Sequence, residues 1–121
     1  MRIGALARCA GVSERMLRYY EQEGLLRPAR TESGYRDYGD TEVRTAKRIR
    51  MLSASGLKIE TIRVLLPCML GEQPTFEPCR EVRAALSREV EKLDDKLRGL
   101  GESRQIVSSY LQSLEPARDT P

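Results

Sequence analysis

The chain has 121 residues, with 21 Lys and Arg against 18 Asp and Glu, a formal net charge of +3, no His, no Trp and a single Phe. That length fits one domain, and 32% charged residues with 5% aromatic fit helices that bury one stripe and solvate the rest, a core thin enough to invite burial against a partner chain. Without His, no Ser-His, Cys-His or His-metal site can be assembled from this sequence; no apolar run approaches a membrane span and the start lacks a secretory stretch, so a cytoplasmic protein is expected.

Charge is divided unevenly. Residues 1–66 carry 13 basic and 8 acidic side chains, whereas residues 67–121 carry 8 and 10. A positive field confined to one half suits a polyanion, although a solvated basic surface would look the same.

Ile3, Leu6, Ala7 and Ala10 recur at helical spacing with Cys9 among them, Gly11 stops the run, and Ser13 is placed to cap the next helix. Steps of about 100° from Ser13 put Met16, Leu17 and Tyr20 on one face and Glu14, Arg15, Arg18 and Tyr19 on the other. The apolar face packs on the first helix, so Arg15, Arg18 and Tyr19 project outward, the layout of a helix-turn-helix. Arginine forks to phosphate or guanine, and a tyrosine hydroxyl donates to phosphate. Next, two short extended segments flank a Ser33-Gly34 turn, and Tyr35-Arg36-x-Tyr38 alternates as a strand does. This is a small wing in which Tyr38 covers the core edge and Arg36 reaches for a phosphate.

Residues 40–66 read as two helices. Asp40 or Thr41 caps the first, Val43, Ala46, Ile49 and Leu52 give its buried stripe, and Gly56 ends it. Ile59, Ile62, Leu65 and Leu66 face the core from the second. The flank Arg44, Lys47, Arg48 and Arg50 is either a solvated face or a set of backbone-phosphate contacts. Residues 67–78 hold Pro67, Gly71, Pro74 and Pro78 and must interrupt helix, forming a joint. From 79 to 114 a long helix carries Leu86, Val90, Leu93, Leu97, Leu100, Arg104, Val107, Leu111 and Leu114 at alternating spacings of four and three. That is a heptad seam about 42 Å long, and a lone helix so narrow needs a partner in water. Gly99 and Gly101 weaken it. Residues 115–121 read as a tail.

Ile3-Gly4-x-Leu6-Ala7, Gly11-Val12-Ser13, Leu17-Arg18-Tyr19-Tyr20-Glu21, Gly24-Leu25-Leu26, Gly34-Tyr35-Arg36-x-Tyr38 and Ile59-x-x-Ile62, in this order and spacing, resemble the winged-helix DNA-binding domain of the MerR family of bacterial transcription regulators. The resemblance implies a mainly α fold: a winged helix-turn-helix domain at 1–66, the joint at 67–78, an antiparallel coiled-coil dimerisation helix at 79–114 and the tail at 115–121. It implies that Arg18, Tyr19, Tyr20, Tyr35, Arg36 and Tyr38 contact operator DNA or support such contacts, and that Arg15 occupies a variable, specificity-tuning position. Lys58 stands where relatives start a helix with Ser or Thr. It further implies a homodimer on a pseudo-palindromic promoter, distorting the spacer so that RNA polymerase meets both promoter elements.

The sensor is less legible. Copper-, zinc- and mercury-sensing relatives use a cysteine at the start of the dimer helix and a Cys-containing loop after it. Cys79 falls near the first position, but residues 115–121 hold neither Cys nor His, and three cysteines are too few for a four-Cys iron–sulfur cluster. No metal and no cofactor are therefore expected. Cys68 and Cys79, each preceded by a proline, are either a thiol switch or cross-link, or small buried hydrophobes. Two other readings of the chain stand beside the regulator: a DNA-architectural or excisionase-like winged-helix protein, and a helical module whose basic half binds an acidic protein. An enzyme is not expected, for no acid–base pair or phosphate-binding loop is in view.

Overall fold

In the computed structural model the described residues are 1–71 and 75–114. They form helices α1 (Ile3–Ala10), α2 (Glu14–Gln22), α3 (Asp40–Ala54), α4 (Ile59–Leu65) and α5 (Arg80–Ser113), with two small hairpins between them. The first hairpin pairs β1 (Ala29–Arg30) with β2 (Arg36–Asp37), and the second pairs β3 (Met69–Leu70) with β4 (Thr75–Phe76), both antiparallel. The chain divides into two units, Met1–Ala85 and Leu86–Pro121. Among the described residues no helix is long and apolar enough to cross a membrane.

In the first unit α1 packs on α2 and α3, and α3 packs on α4. Leu6, Leu17, Leu26, Tyr38, Ile49, Ile62 and Leu65 are each at most 1% exposed, and burial of such side chains is worth about 1.5–3 kcal/mol apiece. The expected stripes hold: Leu6 and Ala10 on α1, Leu17 and Tyr20 on α2, and Ala46, Ile49 and Leu52 on α3 are buried. Two expected core positions are corrected. Met16 is 39% exposed, because the buried arc of α2 centres between Leu17 and Tyr20 and Met16 lies at its margin. Cys9 is exposed, lying to the side of the Leu6–Ala10 line on α1.

Between α1 and α2 the chain turns at Gly11, whose φ of 69° is left-handed and whose N–H donates to the Ala7 carbonyl at 2.9 Å. A side chain there would be strained, and its Cβ would come within 2.9 Å of Arg50 Nη1. Gly11→Ala is expected to lower stability by about 1–2 kcal/mol, read as a lower urea midpoint at unchanged slope. Ser13 caps α2 as expected, its Oγ accepting from Met16 N at 3.2 Å.

The start of α3 is a second correction. Gly39, with extended backbone, is the capping residue rather than Asp40 or Thr41, both of which are already helical. Glu42 Oε2 accepts from Gly39 N at 2.8 Å, the backward half of a capping box. Lys58 begins α4 without a side-chain cap.

The joint contains more structure than its prolines announce. Leu66–Cys68 tightens into a 3₁₀ turn, and the β3–β4 hairpin follows, with Met69 opposite Phe76 and Leu70 opposite Thr75. Strands of two residues are too short for alternation to show in a sequence. Arg48 of α3 donates from Nε and Nη2 to the Gly71 carbonyl at 3.0 and 2.7 Å, clamping this hairpin to the helical core. Of the basic flank of α3, Arg48 is therefore engaged internally, whereas Arg44, Lys47 and Arg50 are exposed. Pro74 and the tail at 115–121 lie outside the described residues.

α5 starts in the first unit, where Val82 and Ala85 are buried, and runs for 34 residues. In the second unit the seam is open: Val90, Leu93, Leu97, Leu100, Val107, Leu111 and Leu114 are 48–80% exposed, while Leu86 is half-buried. Off the seam, Glu89 with Lys92 and Asp95 with Arg98 pair along the helix surface.

Candidate nucleic-acid interface

The face that α2 turns away from the core carries Arg15, Arg18 and Tyr19, all exposed. Arg18 is paired one turn back with Glu14 at 3.5 Å, an exposed contact that a phosphate would readily displace. The Tyr19 and Tyr20 rings lie 6.3 Å apart, but Tyr20 is 4% exposed, its ring part of the packing beneath the surface.

Beside this helix stands the wing. Its turn closes through Thr31 N donating to the Tyr35 carbonyl at 2.8 Å and Tyr35 N donating to Thr31 Oγ1 at 3.1 Å, with Gly34 in left-handed backbone at φ 87°. Arg30 Nη1 donates to the Gly34 carbonyl at 3.0 Å. Tyr35 is 55% exposed, and the Arg2 guanidinium lies over its ring at 4.3 Å. Between helix and wing lies a cleft of about 530 Å³ lined by Arg2, Arg18, Arg30, Tyr35 and Arg36 among others. Four guanidinium groups around an open cleft make a strongly electropositive seat.

Glu21 is the acid in this basic surface. Its Oε2 accepts from Arg36 Nε at 2.5 Å and its Oε1 from the Tyr38 hydroxyl at 2.8 Å, so one carboxylate on α2 holds the second strand of the wing. The pair with Glu21 raises the pKa of Arg36 and keeps it cationic. Arg36 does not simply reach outward but is anchored to α2, with half its side-chain surface exposed. Tyr38 is 1% and Tyr20 4% exposed, so both rings are enclosed in the packing.

Burial first, then the bond to Glu21, pushes the Tyr38 phenol up to about 12 from 10, and burial raises Tyr20 in the same direction. The folded state thus favours the neutral phenol. The stability it contributes is complete below pH 10 and is lost as pH rises toward 12. Urea unfolding is expected to show about 1 kcal/mol less stability at pH 11 than at pH 9, about half of what is lost once the phenol is fully ionised above pH 12, and Tyr38→Phe should reduce that difference.

Sequence reasoning missed Glu21, Arg2 and Arg30 as parts of this face, and Arg63 as a brace behind it. Arg63 of α4 donates from Nη1 to the Glu23 carbonyl at 2.5 Å and pairs with Glu23 Oε1 at 3.2 Å, bracing the end of α2. Glu21 alone left a trace, as an acid inside an otherwise basic and aromatic motif. The two candidate sensor residues, Cys68 and Cys79, are free and half-buried, one before and one after the β3–β4 hairpin. Burial, then the neighbouring Cys79, raises the Cys68 thiol.

Comparison with known proteins agrees with this geometry. Residues 1–67 match the family model described as MerR HTH family regulatory protein, more than half of the chain. The "Heavy metal-dependent transcription regulator 2" of Rhizobium meliloti (strain 1021) is 37% identical over 108 residues, covering 88% of this chain and 71% of that protein. The HTH-type transcriptional regulator HmrR of Sinorhizobium medicae (strain WSM419) is 38% identical over 105 residues, covering 83% and 71%. Among solved structures, the transcription regulator PbrR691 from Ralstonia metallidurans CH34 in complex with lead(II) superposes with a TM-score of 0.78 at 30% identity, over 99% of this chain and 92% of that one. With an outward basic helix beside a basic wing, and relatives matched along most of its length, the chain belongs to the MerR family of helix-turn-helix proteins and is a DNA-binding transcription regulator.

Proposed function

We propose that the protein acts as a homodimer in the cytoplasm, binding a pseudo-palindromic promoter site through two copies of the α2–wing face. It alters transcription by distorting the spacer DNA on which RNA polymerase also sits, and it responds to the thiol state of Cys68 and Cys79. The observation that carries the reading is the pairing of an open leucine seam on α5 with a basic, aromatic face on the first unit. A seam with nothing over it calls for a second helix of the same kind. Two identical heads related by a two-fold axis read two inverted half-sites. Bending the spacer costs several kcal/mol, offset by phosphate contacts from Arg18, Arg2, Arg30 and their neighbours.

The relatives' printed names raise a heavy-metal input. Among the described residues no three or more Cys, His, Asp or Glu are clustered as a metal set; the cysteines are Cys68 and Cys79 about the joint and the exposed Cys9.

Footprinting and in-vitro transcription on the protein's own upstream region test the promoter reading. Protection between displaced promoter elements, with hyper-reactive bases at the centre, is expected. Protection elsewhere, with no effect on transcription, would favour the architectural or excisionase-like alternative.

A further inference from the structure

Where α1 packs on α3, a second cleft of about 460 Å³ opens at the end of α1. Arg8 and Gly11 line it from α1 and its turn, Lys47, Arg50 and Met51 line it from α3, and no Asp or Glu borders it. Arg8, Lys47 and Arg50 are exposed, and none of their cationic heads makes an ion pair or hydrogen bond among the described residues. Other arginines of the first unit are engaged: Arg18 and Arg36 with carboxylates, Arg30, Arg48 and Arg63 with backbone carbonyls. The place of Arg50 is set by Gly11. Its Nη1 stands 2.9 Å from where a Cβ of residue 11 would be, so the missing side chain lets this guanidinium lie over the α1–α2 turn. Three unneutralised cations in one cleft repel one another, and an anion carrying several charges relieves that repulsion.

The position of the cleft says which anion. Arg2 and Ile3, at the start of α1, line the α2–wing cleft, whereas Arg8 to Gly11, at its end, line this one. The two are thus separated by the eight residues of α1, about 12 Å of helix. The major groove of DNA is about 12 Å wide. Arg8 also joins the two basic regions: its Nη1 and Glu14 Oε2 lie 3.7 and 3.9 Å from where a Cβ of Gly4 would stand, and Glu14 pairs with Arg18. Positive surface therefore runs from the wing past Arg18 and Arg8 to Lys47 and Arg50, which suits a chain of phosphates.

We propose that this cleft is a second phosphate seat for promoter DNA. With α2 in the major groove, the wing cleft holds the backbone of one strand and Arg8, Lys47 and Arg50 hold that of the other. The inference deepens the promoter reading and rests on it. Contacts to backbone fix the register of α2 and add affinity without adding sequence preference. The basic flank of α3 is thereby divided by role: Arg48 holds the β3–β4 hairpin through the Gly71 carbonyl, and its neighbours Lys47 and Arg50 hold DNA.

The test is an anisotropy titration of the full chain against its promoter duplex and an unrelated duplex of equal length, over several salt concentrations. Arg8→Ala, Lys47→Ala and Arg50→Ala are each expected to weaken binding to both duplexes alike, by about three- to tenfold, and to lower the salt slope by about one counterion. The three together should lower the slope by about two to three. Ethylation interference should then disappear on one strand at each half-site while the phosphates facing the wing keep theirs. Arg44→Ala, exposed on α3 but outside the cleft, should change neither quantity. Arg50→Lys keeps the charge and should recover most of what Arg50→Ala loses. If Arg50→Ala lowers the urea midpoint, Lys47→Glu carries the test, with a larger loss of affinity than Lys47→Ala at an unchanged midpoint.

A triple variant with unchanged affinity and slope would overturn the proposal. So would a loss confined to the promoter duplex, which would assign these side chains to base reading. Loss of in-vitro transcription at unchanged DNA affinity would also overturn it and give the cleft to an acidic protein surface. Unchanged protein that binds neither duplex refutes the promoter reading itself, whereas parent and triple variant binding equally well refute the second seat alone.

Discussion

A protein carrying Leu97→Asp with Leu100→Asp is expected to sediment as a monomer at micromolar concentration, where the unchanged chain sediments as a dimer. The two leucines are 66% and 68% exposed on α5 and lie at the middle of the seam. Covering each is worth about 1.5–3 kcal/mol, so four lost leucines in a dimer remove about 6–12 kcal/mol. At about 1.4 kcal/mol per tenfold, association should weaken by at least about four powers of ten. Carboxylates forced against an apolar seam add to the cost. The core of the first unit lies elsewhere, so its urea unfolding should change little. Affinity for an inverted-repeat site should fall to that for a half-site. A double variant that remains dimeric would show that the chains associate through another surface.

The second large effect concerns the α2–wing face. Arg18→Ala is expected to weaken promoter binding about ten- to a hundredfold and to lower the salt slope by about one counterion. Arg36→Ala should cost more than one phosphate contact, because it leaves the Glu21 carboxylate without its cation at 2.5 Å in a cleft that faces phosphates. Adding Glu21→Gln should recover part of that loss, since glutamine can still accept from the Tyr38 hydroxyl while carrying no charge. A gel-shift or anisotropy titration over several salt concentrations reads all four proteins. Unchanged affinity and slope in Arg18→Ala with Arg36→Ala would remove this face from the DNA interface.

Residues whose role depends on local periodicity were legible in the chain. The turn at Gly11, the cap at Ser13, the outward Arg15, Arg18 and Tyr19, and the leucine seam all follow from steps of about 100° per residue and from backbone rules that act within one or two turns. Errors gathered at the margins of those arcs. Met16 and Cys9 sit beside a buried line rather than on it, and the cap of α3 moved one residue to Gly39.

By itself the sequence determined the helical register, the placement of positive charge in the first half and a face on α5 that demands a partner. Tertiary structure decided the fates of the arginines and thiols. Arg36 finds Glu21 fifteen residues away, Arg48 finds Gly71 across twenty-three, and Arg63 finds Glu23 across forty. The reason is physical: a helix's own geometry dictates which side chains share a face, whereas a guanidinium's partner is whichever carbonyl or carboxylate the folded chain brings within about 3 Å. The same holds for the joint, where only the β3–β4 hairpin brings Glu77 N onto the Cys68 carbonyl at 2.8 Å.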